Sequence, residues 1–408
     1  MITDRIKNKL ATWKGRILSV LGRVQLVKSI IHGVVVYSFH VYLWPRRLLR
    51  LLDSWLKKII WSGDVLTKKV CTVAWNVMCR PWAEGDLDIK PTRLINEALI
   101  LKLSWDLLAS ETQWTTLFRK RFFSNGQPSM RYFKSSVWSG IKVHIGTVLI
   151  NSVWIFGTRD RIHFWTDNWL GDPLVDLLNI DAVFHGHLKG MVSVVIDNGS
   201  WNLPTALADF GDIQNRLDAT VLPHNQLPNV LVCRHTSDET LSSKHTFTFL
   251  RPQTPMLPWA SFIWSSAIPP SYYFIYWRLH HGKMPTDENL RSRGCIVVSV
   301  CSLCLTTDES SDHLFLRCNF ATRLWDWIGG KLNCLIDYSS VESLLSCRPA
   351  RCSSQVADIF LAAVLHTLHA IWWARNFVRF SMVLPSLNSA KVRIYSLVAM
   401  SGNVSKGK

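Results

Sequence analysis

The spacing Cys301-x2-Cys304-x8-His313-x4-Cys318 constrains this chain more than any other feature. A Cys-x2-Cys turn places two sulfurs about one metal, and a His/Cys pair further on closes a tetrahedral shell of thiolates and imidazole, the donor set of zinc. Ten cysteines in 408 residues give on the order of 0.25 Cys-x2-Cys pairs by chance, and a following His and Cys lowers that further. Four protein ligands leave no open coordination position, so Zn2+ held here would be structural rather than catalytic. Cys295, upstream of the motif, could substitute for one thiolate. The bland alternative is a set of free buried thiols beside a loop histidine.

The surroundings favour the metal reading. Ten cysteines are too sparse for a disulfide scaffold. The charged start, Met1 to Lys9, is followed by no secretory core with a cleavage site. The most apolar run, Ile30 to Trp44, contains His32 and His40 and falls short of the ~20 residues that cross a bilayer. The expectation is an intracellular chain, nuclear or cytoplasmic, with reduced thiols and no membrane association.

Charge supplies the second constraint. Lys and Arg number 46 against 29 Asp and Glu, a formal charge of +17, and the chain carries 20 Trp and 18 Phe. Cations for phosphates and aromatic faces for bases suit a nucleic-acid binder; a large aromatic core under a basic surface is the plainer reading. The asymmetry peaks in residues 1–60, whose acids are Asp4 and Asp53 alone. There Ile6, Leu10, Trp13, Ile17, Val20, Leu21, Val24, Val27 and Ile31 recur at helical spacing, which predicts one helix with a buried stripe. Lys7, Lys9, Lys14, Arg16, Arg23 and Lys28 lie mostly off that stripe, facing solvent or a phosphate backbone. Near the cysteine motif, Lys283, Arg291 and Arg293 form a basic rim with aromatic neighbours. The loop between Cys304 and His313 is acidic and would attract no phosphate.

The chain divides, by pattern, into five stretches. Residues 1–65 are basic and helical. Residues 66–171 form a mostly helical connector with a short β-hairpin, read from Val153–Gly157 and Arg161–Trp165. Residues 172–258 are interrupted by Pro204, Pro223, Pro228, Pro252, Pro255 and Pro258 and read as a linker. Residues 259–335 hold the cysteine motif. Residues 336–408 hold one long apolar helix and a frayed tail. His366-x2-His369 and His280-His281 lack acidic partners in sequence and read as partly buried structural histidines. No nucleophile elbow, phosphate-cradling glycine loop or dinucleotide fingerprint is present.

Longer segments resemble a known family. Pro269-Pro-Ser-Tyr-Tyr-Phe-Ile-Tyr-Trp277-Arg-Leu-His-His-Gly-Lys-Met-Pro285-Thr286 leads into Cys301-x2-Cys304, and Asp312-His313-Leu-Phe-Leu-Arg-Cys318 and Leu324-Trp325 follow. This run closely resembles the reverse transcriptase zinc-binding domain of plant LINE-type (non-LTR) retroelements. Trp13-Lys-Gly-Arg-Ile-Leu-Ser19, Gly22-Arg-Val-Gln-Leu-Val-Lys-Ser29, Cys79-Arg-Pro81, Asn96-Glu-Ala-Leu-Ile-Leu-Lys102, Phe164-Trp-Thr-Asp-Asn-Trp-Leu-Gly171 and Trp372-Trp-Ala-Arg375-Asn376 are similar to flanking landmarks of that family.

The resemblance implies a mainly α fold with small β elements: a helical thumb-like region plus a small zinc-binding domain. It implies RNA or DNA as partner. The palm motif Tyr/Phe-x-Asp-Asp that polymerisation requires is not found, and the acidic residues of a ribonuclease H domain would lie beyond the region matched. The expected function is therefore that of a non-catalytic piece of the polyprotein, gripping nucleic acid. The alternative is a protein-interaction or structural module, or a decayed remnant, whose zinc serves only the fold. Decay is suggested where the family tends to show Gly-Gly-Leu-Gly and this chain has Gly85-Asp86-Leu87-Asp88, and by Gly157-Thr158-Arg159-Asp160 in place of a Gly-x-Gly turn. A residue with a Cβ at a left-handed position costs stability.

Overall fold

The computed structural model describes residues 2–11, 15–67, 71–124, 126–129, 131–155, 157, 161–197, 200–203, 207, 211–220, 222, 227–346, 352–383 and 385–405. The chain is mainly helical, with three two-stranded sheets among the described residues. It separates into two compact units, each assembled from distant stretches.

The first unit comprises residues 1–30, 52–91 and 253–408. Its core is built largely from the aromatic and aliphatic residues between Trp259 and Ile394. The helix Ser354–Ser381 runs through this core: Phe360 to Leu365, Leu368, Ala370, Ile371 and Ala374 are all buried. Around it pack the helices Pro270–His280, Asn319–Leu332 and Leu387–Val404. The last of these stands where the weakening pattern predicted a tail. Small buried residues, Ala390 and Ser401, let it approach the long helix closely, and small residues carry little hydrophobic periodicity.

The single N-terminal helix expected from the stripe is divided in the structure. A helix spans Ile2–Ala11, a 3-10 turn spans Gly15–Ile17, and a second helix spans Val20–Ile30. Ser19 restarts the helix by accepting the Gly22 N–H on Oγ at 3.1 Å. The interruption brings Gly15 against Gly63, where a Cβ on Gly15 would stand 2.7 Å from the Gly63 carbonyl oxygen. Ile17, placed on the buried stripe by periodicity, is consequently 79% exposed. Trp13 and Lys14 lie outside the described residues.

The second unit comprises residues 31–51 and 92–252. The helices Thr92–Ala109 and Ser136–Ile150 form its spine, with Leu101, Trp105, Trp138, Ile141 and Ile145 in one core. Asn96 is buried there, accepting from Trp44 N–H at 2.8 Å and donating to the Phe39 and Tyr42 carbonyls. The strand Ser152–Ile155 does not pair with Arg161–Trp165 as the sequence suggested. It pairs antiparallel with Val230–Cys233, in the register Ser152↔Cys233. Trp154 N–H is bonded to the Asn168 carbonyl instead, and His163 bridges to Met191. The hairpin within 66–171 is formed by Phe123–Ser124 and Gln127–Pro128. Residues 172–258 carry short elements, including the helices Leu174–Leu177, Gly211–Asp218 and Ser243–Leu250.

Among the described residues, two helical stretches are long and apolar enough to cross a membrane by length and composition, where the hydropathy pattern predicted none: Val20–Phe39 and Ser354–Ser381. The second passes the test as a core helix does, being mostly buried within its own unit.

Candidate metal centre

Two local turns assemble the four predicted donors. In the first, Leu305 N–H bonds to the Cys301 carbonyl at 2.8 Å and Cys301 N–H to the Thr307 carbonyl at 2.8 Å. Leu305 takes a left-handed φ of 59° to close this knuckle. Both sulfurs then face one side. In the second, the π turn His313–Arg317 bonds Cys318 N–H to the His313 carbonyl at 2.7 Å. The five-residue step returns the Cys318 sulfur to the imidazole. Cys318 then leads directly into the helix Asn319–Leu332.

The donor atoms of Cys301, Cys304, His313 and Cys318 lie within 4.8 Å of one another. Sulfurs bound to zinc at 2.3 Å with a tetrahedral angle stand about 3.8 Å apart, and a sulfur and an imidazole nitrogen about 3.6 Å. Here Cys301 Sγ and Cys318 Sγ are 3.9 Å apart, and Cys304 Sγ and His313 Nε2 3.3 Å. The residues therefore fit a tetrahedral ion. Cys295 is exposed and is not part of the group. Among the described residues this is the one cluster of three or more His, Cys, Asp or Glu side chains with converging donor atoms.

The electrostatics suit a thiolate site. Burial acts to raise the Cys304 thiol, but hydrogen bonds from the Thr306 hydroxyl and backbone and from His313 outweigh it and bring the thiol down to about 5. The Cys301–Cys318 hydrogen bond lowers Cys318 and raises Cys301, leaving the shared proton on Cys301. Burial opposes a charge on His313, but its bonds to Cys304 and Cys301 raise it overall. A bound cation would displace these protons.

A buried ionic group that sequence reasoning did not single out braces the loop between the two turns. Glu309, from that loop, accepts Arg375 from the helix Ser354–Ser381 through Nε at 3.1 and 3.0 Å and through Nη2 at 2.6 Å. Glu309 also accepts the Asp287 N–H at 3.2 Å, and Asp287 pairs with Arg379. The available signal was a pair of arginines, Arg375 and Arg379, one turn apart in the largely apolar second half of that helix.

The predicted basic residues are scattered in role. Lys7 and Lys283 are exposed. Lys9 sits in the first helix, whose side chain at that position is outside the described part, as is Lys14 entirely. Arg16 is paired with Asp64 at 2.7 Å. Arg23 turns inward and donates to the carbonyls of Gly15, Ile60 and Trp61. Lys28 lies 4.4 Å over the Trp82 ring and 3.7 Å from Asp88. Arg291 pairs with exposed Asp308, and Arg293 is half-buried. Only Lys283, Arg291 and Arg293 are near the metal cluster in sequence.

Fold and donors together define a helical protein carrying a Cys-Cys-His-Cys cluster able to hold a metal ion. Residues 241–325 match the family described as zinc-binding in reverse transcriptase. Over 345 residues, 79% of this chain, the sequence is 25% identical to a provisionally named ribonuclease H protein of Arabidopsis thaliana. The chain spans 54% of that relative's length. It is also 26% identical over 144 residues, 34% of this chain and 92% of the relative, to an uncharacterized mitochondrial protein of the same plant. These findings bear out the resemblance to the C-terminal region of a retroelement reverse transcriptase.

Proposed function

We propose that this region binds RNA or DNA and performs no phosphoryl-transfer chemistry of its own, with one zinc ion held by Cys301, Cys304, His313 and Cys318 to stabilise the fold. The observation that carries the reading is the four-donor cluster inside the segment matched to the reverse transcriptase zinc-binding family. Four protein ligands complete a tetrahedron and leave no site for water or substrate. Such an ion supplies folding energy rather than a Lewis acid. The exposed cations Lys7, Lys283 and Arg291, with Lys9, Lys14 and Arg293, are the phosphate contacts assigned in this reading; Arg16, Arg23 and Lys28 serve the fold in addition to any such contact.

The test is fluorescence anisotropy of the zinc-loaded full chain with single-stranded RNA and DNA across a salt series. Binding that weakens steeply and linearly in log–log form supports phosphate contact. Binding that survives high salt would overturn it. Mg2+-dependent nucleotide incorporation by the purified chain would overturn the non-catalytic half.

A second reading, a protein-interaction module, is favoured by one observation. Ile296, Val298 and Val300 project from the segment ahead of Cys301 with Ser299 buried between them, an exposed alternating apolar stripe.

A further inference from the structure

The second unit contains a cavity of about 340 Å³ whose described wall holds no acidic residue. One side is the hairpin of Phe123–Ser124 and Gln127–Pro128. Its turn residue Gly126 has φ 75°, and a Cβ there would stand 2.2 Å from His163 Nε2, so the turn lies directly on that imidazole. Gln127 Nε2 donates to Thr166 Oγ1 at 2.8 Å, which orients the hydroxyl and leaves its own proton to donate elsewhere. Ser129 Oγ accepts Arg131 N–H at 3.2 Å and likewise keeps its proton. His185 and Lys189 complete the opposite wall.

The charged ends of Arg131 and Lys189 pair with no carboxylate among the described residues. A neighbouring cavity of about 320 Å³ makes the contrast. Its arginines are committed: Arg119 to the Leu107 and Ser110 carbonyls and to Glu111, and Arg161 to Glu111. Two uncommitted cations beside two hydroxyl donors and an amide, with no competing anion, match an anionic group that accepts hydrogen bonds on every face.

We propose that this cavity binds a phosphoryl group, supplied either by the backbone of a nucleic acid or by a free phosphate ester, with Arg131 and Lys189 as its principal contacts. The site belongs to the second unit, and its chemistry does not require the nucleic-acid reading. The test uses the full zinc-loaded chain, inorganic phosphate by calorimetry, and a fluorescent oligothymidylate by anisotropy. The variant is R131A/K189A, both exposed side chains. The control is R216A/K244A, an exposed pair elsewhere in the same unit. Phosphate affinity is expected to fall about fivefold or more in R131A/K189A and to stay near wild type in the control. Equal binding by the two double variants, or no phosphate binding by the wild-type chain, would overturn the proposal. A parallel fall in oligonucleotide affinity, with phosphate competing, assigns the site to a phosphodiester chain. Unchanged or absent oligonucleotide binding beside lost phosphate binding assigns it to a free ester, and leaves the site standing even where the nucleic-acid reading fails.

Discussion

Arg375 Nη2 stands 2.6 Å from Glu309 Oε1, with the two side chains 5% and 0% exposed. The guanidinium grips both carboxylate oxygens, and Asp287 and Arg379 complete a group of two cations and two anions. Glu309 belongs to the loop that joins the two donor turns, so this buried ion pair ties the long core helix to the metal cluster, beside the stacking of Phe315 on Trp372.

Removing one partner strands the other's charge. Glu309→Ala or Arg375→Ala should each destabilise the zinc-loaded protein by about 3–5 kcal/mol. The double variant Glu309→Leu/Arg375→Met should cost clearly less than the two single losses added, because no charge is left unpaired. Urea unfolding midpoints, at fixed zinc, check both statements.

Among the described residues with side chains that occupy left-handed backbone positions are Leu305, at φ 59° in the metal knuckle, and Asp88, at φ 51°. Leu305 is 74% exposed, so its side chain contributes little packing. Leu305→Gly should raise stability by about 1 kcal/mol by relieving the Cβ clash. Asp88→Gly should gain less, since aspartate tolerates this conformation better and its pairing with Lys28 is lost. Thermal melts of the two variants beside wild type give the ranking.

His366 and His369 both make edge-on contacts with the Tyr272 ring. Burial pushes His366 down to about 4, helped by the neighbouring His369, and burial with Arg393 brings His369 to about 4. Both are neutral when folded. Above pH 6.5 neither state takes a proton and their stability contribution is complete. As pH falls from 6.5 toward 4 the unfolded chain takes up protons that the folded chain refuses, so stability declines by about 1.4 kcal/mol per pH unit for His366. His366→Gln should flatten this part of the pH profile. An unchanged difference between pH 7 and pH 5 would contradict it, with wild type and variant compared at equal zinc.

What could be read from sequence was local. The four donors are set by short spacings that close within two turns, so their convergence follows from the chain itself. The helix Thr92–Ala109 was visible from its start at Pro91-Thr92. Interactions made at a distance were not visible. Arg23 looks like an outward cation until the Ile60 and Trp61 carbonyls arrive from 37 and 38 residues along the chain. The strand Ser152–Ile155 finds its partner at Val230–Cys233, across a stretch with little pattern. The substituted glycine turn was legible in principle: Gly85 and Asp88 both take positive φ, while Asp86 accepts from Trp277 Nε1 at 3.0 Å and lies 2.8 Å from His281 Nε2. This last aspartate thus has a structural role that the idea of drift did not anticipate.

The most direct test of the account is metal content of the purified, reduced chain, wild type beside Cys301→Ser/Cys304→Ser, followed by a thermal melt of each. One tightly bound zinc per chain is predicted for the wild type, and the double variant should lose both the zinc and the cooperative transition of the unit that contains it. Soluble wild-type protein without zinc, or a double variant that keeps both metal and melt, would contradict the assignment of these four residues.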